Sequence, residues 1–366
     1  MSTTETPPGE ITGIQYLRGI AASLVVLDHA ASIMELPEFL GPGRFAAHLQ
    51  YGWIGVDIFF VISGFIIAVT SLQRASLESR LSVYVFALKR FVRIVPFLWF
   101  AVGLYASARF LGRGAFEAGP YLNAMFLWPF GEVRPNVVWT LRHEALFYLV
   151  FALSFLIVRL PVLIGLWCVA PIFWLFARES LGPLGDDYRV LNFLLNPVNV
   201  EFGIGLLIGV LSLQKGNLNP LQSLPLPALL SLILVEFTVA DLFGLSAGGG
   251  AGALILGPLS GLVLIVALNM KRPTSIIERA FDLLGSASYS IYLMSNIAIL
   301  GFYSVVLRYL SWLPPLLSLL LAFAFAIAFG LLVHLFVERR LLLFFGAILR
   351  VRGKAPAVKV EMAESK

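Results

Sequence analysis

Charge is scarce in this chain. Asp, Glu, Lys and Arg make up 13% of its 366 residues, against roughly 25% in soluble domains. A water-soluble globule of this length could not cover its surface with so few polar groups. The shortage excludes a cytosolic enzyme, a nucleic-acid module and a disordered protein. Cysteine is nearly absent: Cys168 stands alone. An intramolecular disulfide is therefore impossible, and a multi-cysteine metal site is excluded. The opening residues, MSTTETPPGE, carry no positive charge before the first apolar run. That argues against a cleaved signal peptide and keeps the first helix in the mature chain.

What the chain has instead is apolar residues, 59% of the total. A spanning helix needs about 20 of them in a row. Ten candidate runs lie near 14–34, 54–72, 91–110, 138–158, 162–177, 196–213, 224–243, 251–269, 286–308 and 313–337. The expected architecture is all-α: a polytopic transmembrane helix bundle of about ten spans embedded in the lipid bilayer. Residues 1–13 read as a disordered tail, 14–340 as the transmembrane domain and 341–366 as a polar cytoplasmic tail. The net charge of +5 comes from basic residues scattered through loops, so it reports topology rather than a nucleic-acid partner. With the N-terminus inside, 17 Lys and Arg fall on cytoplasmic segments, 7 on outer ones and 2 within spans. Both termini are then cytoplasmic.

A charged side chain within a span costs roughly 2.5–3.5 kcal/mol or more, so each one asks for a reason. The first span, YLRGIAASLVVLDHAA, carries Arg18, Asp28 and His29. Arg18 and His29 are eleven positions apart, about 16 Å along the axis and close to three whole turns, so they share a face. The plain alternative has Arg18 snorkelling to the inner interface and His29 as a satisfied packing residue. The fourth span opens VVWTLRHEALFYLVF. An interfacial start with a Trp belt explains Trp139 and Arg142. It explains Glu144 less well, because ALFYLVF follows directly. The second span, GVDIFFVISGFII, puts Asp57 near its outer end, where it could cap the helix. Ser63 and Gly64 lie mid-span and suit close helix packing. His29, Asp57 and Glu144 fall at similar depth, and a histidine with two carboxylates is what a general acid–base site needs.

Toward the inner side, Arg90 and Arg93 precede IVPFLWF. At i, i+3 they share a helix face. The positive-inside rule accounts for Lys89 beside them, but two arginines on one face also make a bidentate phosphate clamp, which Arg18 could join. In the ninth span, LGSASYSIYLMSN, the Ser, Tyr and Asn residues read as inter-helix hydrogen-bonding groups. His334, before Glu338, reads as interfacial, and His48 lies in an outer loop.

Five segments in order, YLRGIAASLVVLDH, GVDIFFVISGFII, KRFVRIVP, WTLRHEALFY and SYSIYL, resemble the membrane-bound acyltransferase type 3 family, and in particular its exopolysaccharide and O-antigen O-acetyltransferase-like members. The resemblance covers about Ile14 to Arg340. It implies transfer of an acyl group, usually acetyl, from cytoplasmic acetyl-CoA or another acyl-CoA as co-substrate. The implied acceptor is a surface polysaccharide, a lipid-linked glycan or a small glycoside, and no metal is required. The family's first-helix Arg and His fall on Arg18 and His29, its arginine pair on Arg90 and Arg93, and its Trp-to-Glu motif on Trp139 and Glu144. The resemblance further implies a multi-pass protein of a bacterial inner membrane, and it leaves homo-oligomers open. Many relatives carry a histidine after SYSIYL, where this chain has Met294, Ser295 and Asn296. No extracytoplasmic esterase-like domain is expected.

On this reading His29 and Glu144 are the catalytic pair. Glu144 orients His29, and His29 either deprotonates the acceptor directly or carries the acyl group covalently. Arg18, Arg90 and Arg93 hold the donor. Asp57, Ser63, Trp139 and Arg142 bind substrate or support the site. Intramembrane Arg, His, Asp and Glu would equally suit a proton-coupled secondary transporter of a polar or anionic solute.

Overall fold

A computed structural model of the chain describes residues 12–351, apart from 44, 46–48, 75, 114–116, 156–159, 183–187, 216–224, 246–248, 269, 271–274 and 311. His48, Arg159, Lys271, Arg272 and most of both tails, on which parts of the sequence reading rest, lie outside the described residues. Regular structure among the described residues is helical throughout, with one isolated bridge between Leu72 and Ser79. In hydrocarbon only a helix satisfies its own backbone within one segment.

The helices run α1 (Thr12–Met34), α2 (Ile54–Ser71), α3 (Val83–Arg113), α4 (Ala118–Met125), α5 (Val138–Ser154), α6 (Leu160–Leu181) and α7 (Arg189–Leu194). They continue as α8 (Asn199–Lys215), α9 (Leu226–Leu242), α10 (Gly250–Ala267), α11 (Ile276–Ser286), α12 (Ser288–Tyr309) and α13 (Pro315–Val333). A π-helical turn, His334–Glu338, joins α13 to α14 (Arg339–Val351). Seven helical segments among the described residues are long and apolar enough to cross a membrane: Thr12–Met34, Gln50–Ser71, Val83–Gly112, Arg189–Lys215, Gly250–Ala267, Ser288–Val306 and Pro315–Ile348. The other three expected spans coincide with α5, α6 and α9, of 17, 22 and 17 residues. The outer face of α13 leaves Leu320, Leu321, Phe325 and Leu332 exposed, an apolar surface that suits lipid and not water.

The bundle is organised around α2, which packs against α1, α8 and α10 and touches α5. Small residues let these backbones meet. A Cβ on Gly64 would stand 2.1 Å from the Phe202 carbonyl oxygen of α8, and one on Gly205 would stand 1.9 Å from the Val61 carbonyl oxygen of α2. The contact is reciprocal: each helix contributes the glycine that admits the other's backbone. Gly55 does the same toward α1, where its Cβ would meet the Ala21 carbonyl oxygen at 2.3 Å. The packing role expected for Gly64 is what the structure shows.

The polar groups of the ninth expected span make the inter-helix bonds their residue types suggest. Tyr289 donates to the Ile94 carbonyl at 2.9 Å, the Tyr292 hydroxyl pairs with Thr140 at 2.9 Å, and Tyr303 donates to the Ala30 carbonyl at 3.0 Å. His334 departs from its reading. It is buried with Glu338 inside the bundle rather than placed at the interface, because the π turn keeps both side chains on the inward face.

Gly205→Val tests the central contact. Overpacking a tight interface costs about 1–3 kcal/mol, so the variant is expected to unfold at a clearly lower temperature in detergent. An unchanged midpoint would contradict the close α2–α8 approach.

Candidate active site

A cavity of about 220 Å³ opens between α1, α2, α3, α5 and α12. It brings together Arg18 from α1, Ser63 from α2, Arg90 and Arg93 from α3, and Glu144 from α5. Tyr148, Thr140, Tyr289 and Tyr292 add hydroxyls, and Val56, Phe59, Phe60, Ile62 and Leu141 add apolar wall. Five of the residues singled out from sequence therefore share one space. Of the lining residues, Glu144 carries the one carboxylate, against three guanidinium groups.

Two hydroxyls hold Glu144. Ser63 Oγ donates to its Oε1 at 3.2 Å, and Tyr148 OH donates to the same oxygen in a short hydrogen bond. Tyr148 lies four positions on from Glu144, one turn along the same helix face. Sequence reasoning passed over this i, i+4 spacing, although it was there to be read. The expected contact between Glu144 and His29 is not formed: Glu144 takes Ser63 and Tyr148, while His29 pairs with Ser295.

The arginines cluster toward one end. Arg90 donates to Thr70 Oγ1 at 3.3 Å and stacks over Phe86 and Tyr148, each ring centroid 5.4 Å from its Cζ. Its Nε is buried and without a hydrogen-bond partner. Tyr148 links the two sides of the site: its ring lies under the Arg90 guanidinium and its hydroxyl donates to Glu144. Arg93 lies over Tyr289, with 5.5 Å between Cζ and the ring centroid, and donates to Glu338 Oε1 at 2.8 Å. The two arginines of the expected clamp are thus unlike. Glu338 neutralises Arg93, whereas Arg90 has no carboxylate partner among the described residues.

His29 lies just beyond the cavity rather than in its wall. Its Nδ1 is 3.0 Å from Ser295 Oγ, and Ser295 in turn donates to the Tyr292 carbonyl at 2.8 Å. A serine has one hydrogen to give. When that hydrogen is on the Tyr292 carbonyl, Ser295 Oγ is free to accept from a neutral His29 protonated on Nδ1. The Nε2 lone pair is left as the basic site. Tyr292 lines the cavity, so the Ser295–His29 pair sits one turn of α12 past its edge.

Asp57, Trp139 and Arg142 do not line the cavity. Asp57 is buried in a second core, its carboxyl against that of Glu201, with Glu236 beside the pair. Equal depth with His29 and Glu144 did not mean a shared direction: six residues from Ser63 is about 240° around the helix. Arg142 reaches back to the loop before α5 and donates to the Gly131 carbonyl at 2.9 Å and the Phe130 carbonyl at 3.3 Å. Trp139 packs edge-on against Phe60 and His143.

Tyr148→Phe removes one hydrogen bond to a carboxylate, worth about 1.5–3 kcal/mol. With the ring stacking kept, the fold is expected to survive while kcat for acyl transfer falls at least tenfold. Wild-type turnover would show that Glu144 needs no such support.

A family model described as an acyltransferase domain matches residues 11–335. The exopolysaccharide production protein ExoZ of Rhizobium meliloti (strain 1021) is 35% identical over 268 residues, covering 69% of this chain and 78% of that protein. No solved structure matches. The match spans α1 to the π turn, and every helix that lines the cavity lies within it. The chain belongs to the membrane acyltransferase type 3 family, and it is an acyl-transferring enzyme built from membrane-spanning helices.

Proposed function

We propose that the protein moves an acyl group, normally acetyl, from cytoplasmic acyl-CoA to a sugar hydroxyl of a surface polysaccharide or lipid-linked glycan. The observation that carries this reading is one cavity that brings the guanidinium groups of Arg18, Arg90 and Arg93 together with a hydroxyl-held carboxylate, Glu144. A thioester donor suits that set: anionic phosphates at one end, a narrow arm, and a reacting carbonyl at the other. A volume near 220 Å³ takes the arm rather than the nucleotide, since pockets for whole drug-sized ligands run to about 300–1,000 Å³. The polysaccharide acceptor is supported by the ExoZ relative, whose name assigns it to exopolysaccharide production.

In this mechanism Arg90 and Arg18 meet the donor phosphates, with guanidinium forks suited to them. The arm runs past Tyr148 and Ser63 toward Tyr292. The acceptor hydroxyl approaches from the His29 side. His29 Nε2 takes its proton as the oxygen attacks the thioester carbonyl. The new C–O bond forms, the C–S bond breaks, and the proton passes to the departing thiolate, giving ester and free CoA. Glu144 does not orient His29. It stabilises the positive charge that His29 acquires from across the cavity edge and orders the reacting groups through Ser63. Transfer through an acyl group on His29 Nε2 uses the same atoms in two steps and differs in giving ping-pong kinetics. The reading includes ten spans with both termini cytoplasmic, in a bacterial inner membrane. The Arg90 end then faces the cytoplasmic donor.

The test is thiol release from acetyl-CoA by the purified protein in lipid, with and without a pooled glycan acceptor. Acceptor-dependent release is expected, and His29→Ala should lower it roughly 10²- to 10⁴-fold, the range of general-base contributions. Ser295→Ala frees the tautomer but keeps the ring, and should cost less. Absence of acyl-CoA binding by the wild-type protein would overturn the reading.

A further inference from the structure

Glu338 closes the π turn that joins α13 to α14. The structure buries its carboxylate completely, with the side chain 0% exposed, and fills it with donors. Oε1 accepts from Arg93 at 2.8 Å; Oε2 accepts from Ser290 at 2.7 Å and pairs with His334 Nδ1 at 2.7 Å. Three separate segments are tied together: α3 through Arg93, α12 through Ser290, and the π turn through His334 and Glu338 itself. π turns inside helices occur frequently at functional sites.

The pair is asymmetric in a way that matters for the cavity. Glu338 has no exposure, while 33% of the Arg93 side chain remains accessible and lines the cavity. What the cavity receives is a guanidinium with its charge already balanced from behind and its plane fixed over Tyr289. Five N–H groups in a rigid fork remain good donors when one of them is engaged. Arg93 is therefore a fixed hydrogen-bonding group with little net attraction for anions, beside Arg90, whose charge is uncompensated among the described residues.

We infer that Glu338 is a positioning residue for the acyl donor. By neutralising and anchoring Arg93 it leaves Arg90 to grip the donor's phosphates and keeps Arg93 from pulling them one helical turn off register. This rests on the donor reading given above. Without Glu338, Arg93 becomes a further cation at the cavity wall with its charge no longer balanced, and binds the phosphates in a place that misaligns the thioester. Donor binding should then tighten while turnover drops, the opposite of what loosened packing would do.

The experiment compares Glu338→Gln, Arg93→Ala and the double variant for CoA binding by calorimetry and for steady-state thiol release from acetyl-CoA. Glutamine keeps the shape and one acceptor but removes the charge. For Glu338→Gln, kcat should fall about tenfold and KM for acetyl-CoA should fall severalfold, with CoA bound correspondingly tighter. In the Arg93→Ala background the same substitution should change neither parameter, because the residue acts through Arg93. Glu338→Asp, which restores the charge, should return KM toward the wild-type value, and it serves as the test if Glu338→Gln does not fold. The inference is overturned if Glu338→Gln matches the wild type, if KM rises, or if the Glu338 and Arg93 effects multiply independently. A wild-type protein that binds no CoA would instead overturn the donor reading itself, and this inference with it.

Discussion

At the centre of the molecule α2 and α8 touch backbone to backbone, Gly64 against the Phe202 carbonyl and Gly205 against the Val61 carbonyl. No side chain fits between them, so the distance between these helices is set by main-chain atoms alone. Ser63 is the neighbour of Gly64. Its hydroxyl therefore enters the cavity from a helix whose position is not adjustable, and Glu144 is held against that fixed point. Lipid supplies no water to satisfy a stray polar group. Polar side chains of α12 meet this constraint with partners on other segments, through Tyr289, Tyr292, Ser290 and Ser295.

The same constraint produces the division of labour among the cations. A guanidinium in a low-dielectric wall is costly unless paired. Arg93 is paired outright with Glu338, and Arg142 is spent on two loop carbonyls. Arg90 has only a long bond to Thr70 and two aromatic faces. Among the described residues no carboxylate pairs with Arg90, and its side chain lines the cavity.

Much of this was legible from the chain alone. Helix-face spacing pairs Arg90 with Arg93, which Arg18 could join, and Glu144 stands out as a carboxylate followed directly by an apolar run; the structure puts all four in one cavity with Ser63. The limits of that reading have physical causes. Depth can be counted along a helix, but direction must be counted around it, and Asp57 lies on a face turned away toward Glu201. Partner choice depends on tertiary packing, so His29 and Glu144, both identified, bond to Ser295 and Tyr148 instead of to each other. His334 follows a long apolar run and reads as interfacial. The π turn that carries it inward has no signature in residue type. The i, i+4 spacing of Glu144 and Tyr148, by contrast, is visible in the sequence itself.

The central claim is that the acyl donor occupies the cavity between Arg90 and Glu144. A cysteine at position 63 reports on that space directly. In a Cys168→Ala background, which removes the natural thiol, Ser63→Cys can be alkylated by a small water-soluble thiol reagent with and without saturating acetyl-CoA. The account expects acetyl-CoA to slow the alkylation severalfold, and expects Arg90→Ala to abolish that protection. Equal rates with and without acetyl-CoA, in protein shown to bind it, would place the donor elsewhere and contradict the account.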